Sequence, residues 1–252
     1  PFSAPALARL SNSELARRIA LAREDIEPDM RGPPLRLLLG EVAYFAEPVA
    51  RLFRRVEVAP ARVPRIVMIL PGFATHPSRM RYLARHLERA GHKTKRWGLG
   101  FNLGPTAANV DRLEQRLVEV HQRYGQEVVL LGWSLGGLFA RELARRRPEL
   151  VAKVITMGSP FSGDPRANNA WRLYQFVTGH RVDNPPIEAD IAAKPPVETV
   201  ALWSPRDGIV SPRSACGKPG ERDRAVALRC RHMGFSYAPE AIGAVLGELD
   251  RD

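Results

Sequence analysis

Three residue types along this chain can combine into acyl-transfer chemistry: a serine in a glycine-rich turn, an aspartate in a strand-end turn, and a histidine beyond it. The serine is Ser134, within Gly132-Trp133-Ser134-Leu135-Gly136-Gly137. Residues 128–131 before it are a short apolar run with the β-branched content of a buried strand. Residues 138–144 after it read as a helix. So tight a turn strains the serine backbone, and side chains at Gly132 and Gly136 would collide with the neighbouring strand and helix. The serine Oγ then stands clear of a sheet, at the positive end of a helix. The N–H of Leu135 points toward any oxyanion formed there.

A serine hydroxyl is a poor nucleophile at neutral pH. It needs a base to take its proton and a carboxylate to orient that base. The chain has six histidines: His76, His86, His92, His121, His180 and His232. Of these, His232 follows the final strand-like run and a plausible acid-bearing loop. His86 and His121 are expected on helix surfaces, and His76 lies near the loop after the first strong strand. For the acid, Asp207 ends a strand-like run in a turn with Gly208 beside it. Asp164, after the preceding strand, is the second candidate. Asp183, Asp190 and Asp223 have no comparable strand-end setting.

The elements that must position these groups can be read in order. Residues 65–70, 93–97, 128–131, 151–157, 197–203 and 225–230 read as strands. Helices are expected over 78–90, 106–124 and 239–249, with Gly91 and Gly125 as stops. Alternating strands and helices imply a mostly parallel sheet, with a site at the strands' carboxyl ends. The loop after residues 65–70, Pro71-Gly72-Phe73, is placed to bring the Phe73 N–H to the same oxyanion. The glycine-rich loop 98–105 has no Walker lysine after it and reads as a flexible loop near the pocket. Residues 161–196 interrupt the alternation with aromatics and prolines. Trp133, Phe161 and Trp171 are the candidate substrate-lining aromatics.

Before this core, residues 13–23 read as a helix. Leu38, Val42, Phe45, Val49, Leu52 and Val56 recur at helical spacing, with Pro48 as a kink or break. The expected organisation is a helical arm over 1–62, packed on a domain over 63–252. The arm's apolar face also fits a lid or peripheral contact with a membrane surface.

Together LPGF, LLGWSLGG, ITMGSPFSG, SPRDGIV and RHMGF make the chain, from about residue 65 to 249, resemble bacterial serine esterases and lipases of the α/β-hydrolase fold. GWSLGG is also found in carboxylesterases that act on methyl esters of acyl-carrier protein. The resemblance implies an α/β architecture: a mostly parallel central sheet flanked by helices, with a cap insertion at about 161–196 and here a helical N-terminal arm. It implies a cofactor-free carboxylic ester hydrolase working through an acyl-enzyme. Its nucleophile, acid and base fall on Ser134, Asp207 and His232, in the chain order of that fold. Its oxyanion donors fall on Leu135 and Phe73. Two departures are the proline where lipases carry a histidine before Gly72, and the helical arm. Thioesterase, amidase and acyltransferase activities use the same triad and stay open. So does a membrane-associated binding protein with a blocked pocket.

Composition narrows the partners. The chain has 252 residues, 44% of them apolar, and a formal net charge of +11. Only 5 of its 38 basic residues are lysines, so the charge is almost all arginine. Stretches such as RELARRRPE and RYLARHLERAGH mix both signs on helices, which reads as solvated surface rather than a nucleic-acid footprint. The expected partner is a small-molecule or lipid ester, with no nucleic acid, no metal and no cofactor. No signal peptide and no apolar run of about 18 residues is visible, so the expected location is the cytoplasm. Cys216 and Cys230 would stay thiols there, and could bridge if the protein were exported.

Overall fold

The apolar runs assemble side by side into one sheet. In the computed structural model, which describes residues 11–25, 32–42, 56–186 and 190–251, six strands lie in the order β2-β1-β3-β4-β5-β6. They are β1 (Ile66–Leu70), β2 (Lys93–Arg96), β3 (Val128–Trp133), β4 (Val151–Met157), β5 (Glu198–Trp203) and β6 (Arg224–Ala227). Every pairing in this sheet is parallel. The central strands β1 and β3 are buried along their whole length. The polar sequence of β2, KTKR, suits its place at one edge.

Helices cover both faces, as a parallel sheet requires. Alternate residues of each strand go to opposite sides. Val67, Ile69, Val129 and Leu131 pack with Leu83 and Leu87 of α3 (Arg81–Arg89) and with Ile242 and Val245 of α8 (Pro239–Leu249). Ile66, Met68 and Leu130 pack instead with Leu113 and Leu117 of α4 (Ala107–Tyr124) and with Phe139 and Leu143 of α5 (Leu135–Arg146). Gly125 ends α4 in the left-handed conformation, with φ of 63°.

Two further helices belong to the N-terminal part. α1 (Asn12–Ala22) starts at Ser11, whose Oγ accepts from the Glu14 N–H at 3.2 Å. It lies against α6 (Trp171–Thr178), in the insertion between β4 and β5. Arg18 donates to the carbonyl of Val177 at 2.5 Å, and Gln175 donates to that of Leu21 at 2.6 Å. The short α2 (Leu35–Gly40) sits beside the loop after β5. Of the apolar series expected in the arm, Phe45, Val49 and Leu52, with Pro48, lie outside the described residues. Among the described residues no helix is long and apolar enough to cross a membrane.

Several sequence expectations need correction. The helix expected over 78–90 opens with a 3-10 turn, Pro77–Met80, before α3 begins. The last strand ends at Ala227, short of Cys230. Residues 212–216 form a short helix, α7 (Pro212–Cys216), which the sequence reading did not include. His86 is buried, not on the helix surface, because it lies on the face of Leu83 and Leu87; its Nδ1 bonds the Tyr82 carbonyl one turn back at 2.8 Å. Cys216 and Cys230, by contrast, are both free thiols, so the alternative bridge is not formed.

Candidate active site

The site forms where β3 turns into α5. Ser134 sits between them with φ 53° and ψ −123°, a strained conformation for a residue with a side chain. Packing around the turn enforces it. A Cβ on Gly132 would lie 2.4 Å from the Gly136 carbonyl oxygen, and one on Gly136 would lie 2.2 Å from that of Leu70. The Ser134 N–H is held by the Met157 carbonyl at 2.8 Å. Leu135 opens α5, so its N–H belongs to the first turn, which has no intrahelical acceptor. Among the described residues Ser134 Oγ makes no hydrogen bond, and it stands on the wall of a cavity of about 300 Å³.

Asp207 and His232 come from the loops after β5 and β6. Asp207 Oδ2 and His232 Nδ1 are 2.7 Å apart, and the aspartate is completely buried. Its other oxygen, Oδ1, accepts from the N–H groups of Ile209 and Val210, both at 2.8 Å. These two bonds fix the carboxylate's rotation and leave Oδ2 for the histidine. Burial pulls the His232 pKa down. The Asp207 charge, the hydrogen bond to it and the Glu41 charge outweigh burial, so the net direction is upward. Asp164 has a different job: its Oδ1 accepts from the Arg166 N–H at 2.6 Å in a local turn.

The remaining sequence candidates divide. Phe73, Leu135, Phe161 and Trp171 line the cavity with Ser134. Phe73 also packs on Tyr174, with ring centroids 5.3 Å apart. Trp133 is not among the lining residues. It is buried under the base, where its indole N–H donates to the His232 carbonyl at 3.2 Å. It alternates away from the cavity because it is the last strand residue and packs with the sheet face that carries Phe235 and Leu131. His76 bonds within its own turn, accepting from the Ser78 N–H at 3.3 Å.

Two residues outside the sequence candidates hold the loops of the site. Asn102, in the loop expected to be flexible, is fully buried. Its Nδ2 donates to the Pro71 carbonyl at 2.7 Å, and its own carbonyl accepts from the Ala74 N–H at 2.7 Å. It thereby clamps the Phe73 loop, in which Ala74 has a positive φ of 53°. A buried asparagine between glycines was the available clue. The second is Glu41, just past α2. It is buried and accepts from the N–H groups of Gly208, His232 and Met233. Nothing local in the sequence marks it.

A parallel sheet with a strained serine between β3 and α5, and an Asp-His pair in the loops after β5 and β6, is an α/β-hydrolase fold. Residues 65–184 match the alpha/beta hydrolase fold family. Among curated proteins, the pimeloyl-[acyl-carrier protein] methyl ester esterase of Nitrosospira multiformis is 32% identical over 120 residues, covering 44% of this chain and 44% of that protein. The chain thus matches less than half the length of this relative. Solved structures share the fold at low identity. A metagenome-derived lipolytic enzyme has a TM-score of 0.55 at 15% identity, covering 77% of this chain and 96% of that one. The 2-hydroxy-6-oxo-6-phenylhexa-2,4-dienoate hydrolase of Rhodococcus sp. strain RHA1 has a TM-score of 0.52 at 15% identity, covering 75% and 91%.

Proposed function

We propose that this chain is a serine carboxylic ester hydrolase. The observation that carries the reading is the 2.7 Å Asp207–His232 pair, set beyond a serine held at φ 53° on a cavity wall. The pair leaves His232 Nε2 free of protein partners among the described residues, which is the nitrogen a general base must use. Ser134 Oγ attacks the ester carbonyl as its proton passes to Nε2. The carbonyl oxygen gains charge and is held by the N–H groups of Leu135 and Phe73. Imidazolium, stabilised by Asp207, returns the proton to the leaving alcohol. Water then gives a proton to His232 and attacks the acyl group, and Ser134 leaves with the proton restored. A Ser134–His232 hydrogen bond, absent among the described residues, forms when substrate enters, as such contacts do between free and occupied sites.

The cavity sets the substrate class. Its lining is mostly apolar, with Leu135, Leu138, Phe161, Trp171, Ile191 and Val210 around the serine. That favours a small acyl or aryl ester over a charged one. The Nitrosospira relative is named for a methyl ester, whose alcohol part is small and uncharged. The insertion at 161–196 acts as a cap, since Trp171 and Tyr174 of α6 line the cavity, and the arm packs on it through α1.

The test is a fluorophosphonate label read by intact mass and peptide mapping, followed by p-nitrophenyl esters of increasing chain length, thioesters and amides. A single adduct on Ser134, lost in Ser134→Ala, is expected, with esters turned over fastest. Loss of a triad member lowers kcat by about 10⁴- to 10⁶-fold. Labelling at another serine, or a Ser134→Ala protein that still hydrolyses esters, would overturn the assignment. Faster turnover of thioesters would move the activity to the thioesterase reading.

A further inference from the structure

Glu41 is 8% exposed, and among the described residues no ion pair joins it to a cation. Its partners are three main-chain donors. Oε1 accepts from the Gly208 N–H at 2.9 Å and the His232 N–H at 2.8 Å, and Oε2 accepts from the Met233 N–H at 3.0 Å. Gly208 carries the peptide that follows Asp207. A single carboxylate oxygen therefore binds the amide next to the acid and the amide of the base. These loops lie 167 and 191 residues further along the chain.

A buried carboxylate is tolerated only where donors replace its hydration. Here the donors are backbone groups of the two loops, so the tie fixes their separation. The arm also fits the acid loop sterically. A Cβ on Gly208 would lie 2.4 Å from the Leu37 carbonyl oxygen of α2, so only glycine allows the approach.

We propose that Glu41 is a positioning residue for the Ser134–His232–Asp207 triad: its carboxylate holds the acid loop and the base loop at the spacing that sets Asp207 against His232. The proposal rests on the hydrolase reading above. It gives the N-terminal arm a part in the chemistry, without contact to substrate.

The charge adds a readout that a purely structural tie lacks. The charged or titratable groups facing His232 are Asp207 from the β5 loop and Glu41 from the arm. Cys230, two residues before it, is buried, and burial pushes its thiol up. The Arg231 guanidinium turns toward the arm at Gly40. Trp133, Gly158 and Phe235, which pack on the imidazole from β3, β4 and the following turn, carry no charge. Glu41 and Asp207 both favour imidazolium, so removing the Glu41 charge lowers the His232 pKa.

The test uses the full chain with Glu41→Gln, which keeps the shape, and Glu41→Asp, which keeps the charge with a shorter reach. The measurements are the fluorophosphonate labelling rate against pH, the titration of the His232 ring by NMR, and the melting temperature. In Glu41→Gln one amide end must face the Met233 N–H, donor to donor, so the loops shift. Labelling is expected to slow by about 10- to 100-fold, the scale of a small misplacement of catalytic groups. Its acid limb and the His232 titration are both expected at lower pH than in wild type. Glu41→Asp should return the titration toward wild type while labelling stays slow. A Glu41→Gln protein that melts earlier but labels at the wild-type rate, with an unmoved limb, would overturn the proposal. If Glu41→Gln does not fold, wild-type labelling by Glu41→Asp overturns it. If wild type takes no label at Ser134, the hydrolase reading fails by itself. The NMR titration then still decides the tie, and equal midpoints in wild type and Glu41→Gln would refute it.

Discussion

Asp207→Asn tests the geometry of the site most sharply, because the surroundings dictate how the new amide must sit. In the native side chain Oδ1 accepts from two N–H groups and Oδ2 faces His232 Nδ1. The asparagine can keep its oxygen toward Ile209 and Val210, or turn its NH2 toward them. The second choice sets donors against two donors and loses two hydrogen bonds, each worth about 0.5–1.5 kcal/mol, while leaving the buried Val210 N–H unpaired. The first choice needs only a tautomer change of the histidine, so it wins. The amide NH2 then donates to Nδ1, and the ring proton moves to Nε2. His232 can no longer accept the Ser134 proton, although every side chain stays in place. The comparable substitution in a serine protease lowers kcat by about 10⁴-fold, which at about 1.36 kcal/mol per factor of ten is about 5.4 kcal/mol of lost transition-state stabilisation. Pre-steady-state hydrolysis of a p-nitrophenyl ester measures acylation, and circular dichroism checks that the fold persists. A folded Asp207→Asn protein within about tenfold of wild type would refute this reasoning, as would a larger loss from Asp164→Asn.

Other predictions bear on the turn, the base and the cavity. Gly136→Ala should lower stability by about 1–3 kcal/mol or more, since its Cβ would meet the Leu70 backbone at 2.2 Å, whereas exposed Gly243→Ala in α8 meets nothing and should raise it by about 0.5–1 kcal/mol; urea unfolding reads both. Because the His232 pKa is raised and the neutral ring is the active form, the acid limb of kcat/KM should lie above the ordinary histidine value of about 6.5. A raised folded pKa also means that His232 stabilises the fold fully below its unfolded pKa and loses that contribution as pH rises through the folded one, a trend measurable by melting against pH. Trp171→Ala should change the ester chain-length profile more than turnover of an acetate ester, and equal effects on all lengths would place Trp171 in a structural core instead.

The parts of this molecule that were legible in the sequence are those whose signals are local. Residues 128–131 announce a buried strand by composition, and GWSLGG announces a turn by its glycines. The structure gives each glycine a specific collision to avoid. Asp207 could be singled out because a strand-end turn with Gly208 is itself a local pattern, and the geometry then sets it 2.7 Å from His232. Where the structure differs from the local expectation, helix phase and strand alternation decide which side a residue takes. His86 is expected at the surface as a polar helix residue, yet it stands three residues after buried Leu83 and shares the buried face. Trp133 sits beside the nucleophile in sequence but takes the opposite side, because successive strand residues alternate.

Asn102 and Glu41 show why the support of such a site is harder to read than its reactive groups. A nucleophile needs a particular backbone strain, and strain calls for glycines within a few residues of it. Support needs only a hydrogen-bonding group in the right place, and any segment passing nearby can supply one. Asn102 reaches the Phe73 loop from 31 positions away, and Glu41 reaches the acid and base loops from the other side of the sheet's whole sequence. Both bond main-chain atoms, so the residues they hold need no matching side-chain type that could betray the partnership. The loops they hold differ in kind. On the proposed function, Asn102 steadies the loop of a neutral oxyanion donor, where an uncharged amide is sufficient, whereas Glu41 stands beside a base that carries positive charge during turnover. The choice of amide at one position and carboxylate at the other follows the charge that each loop has to present.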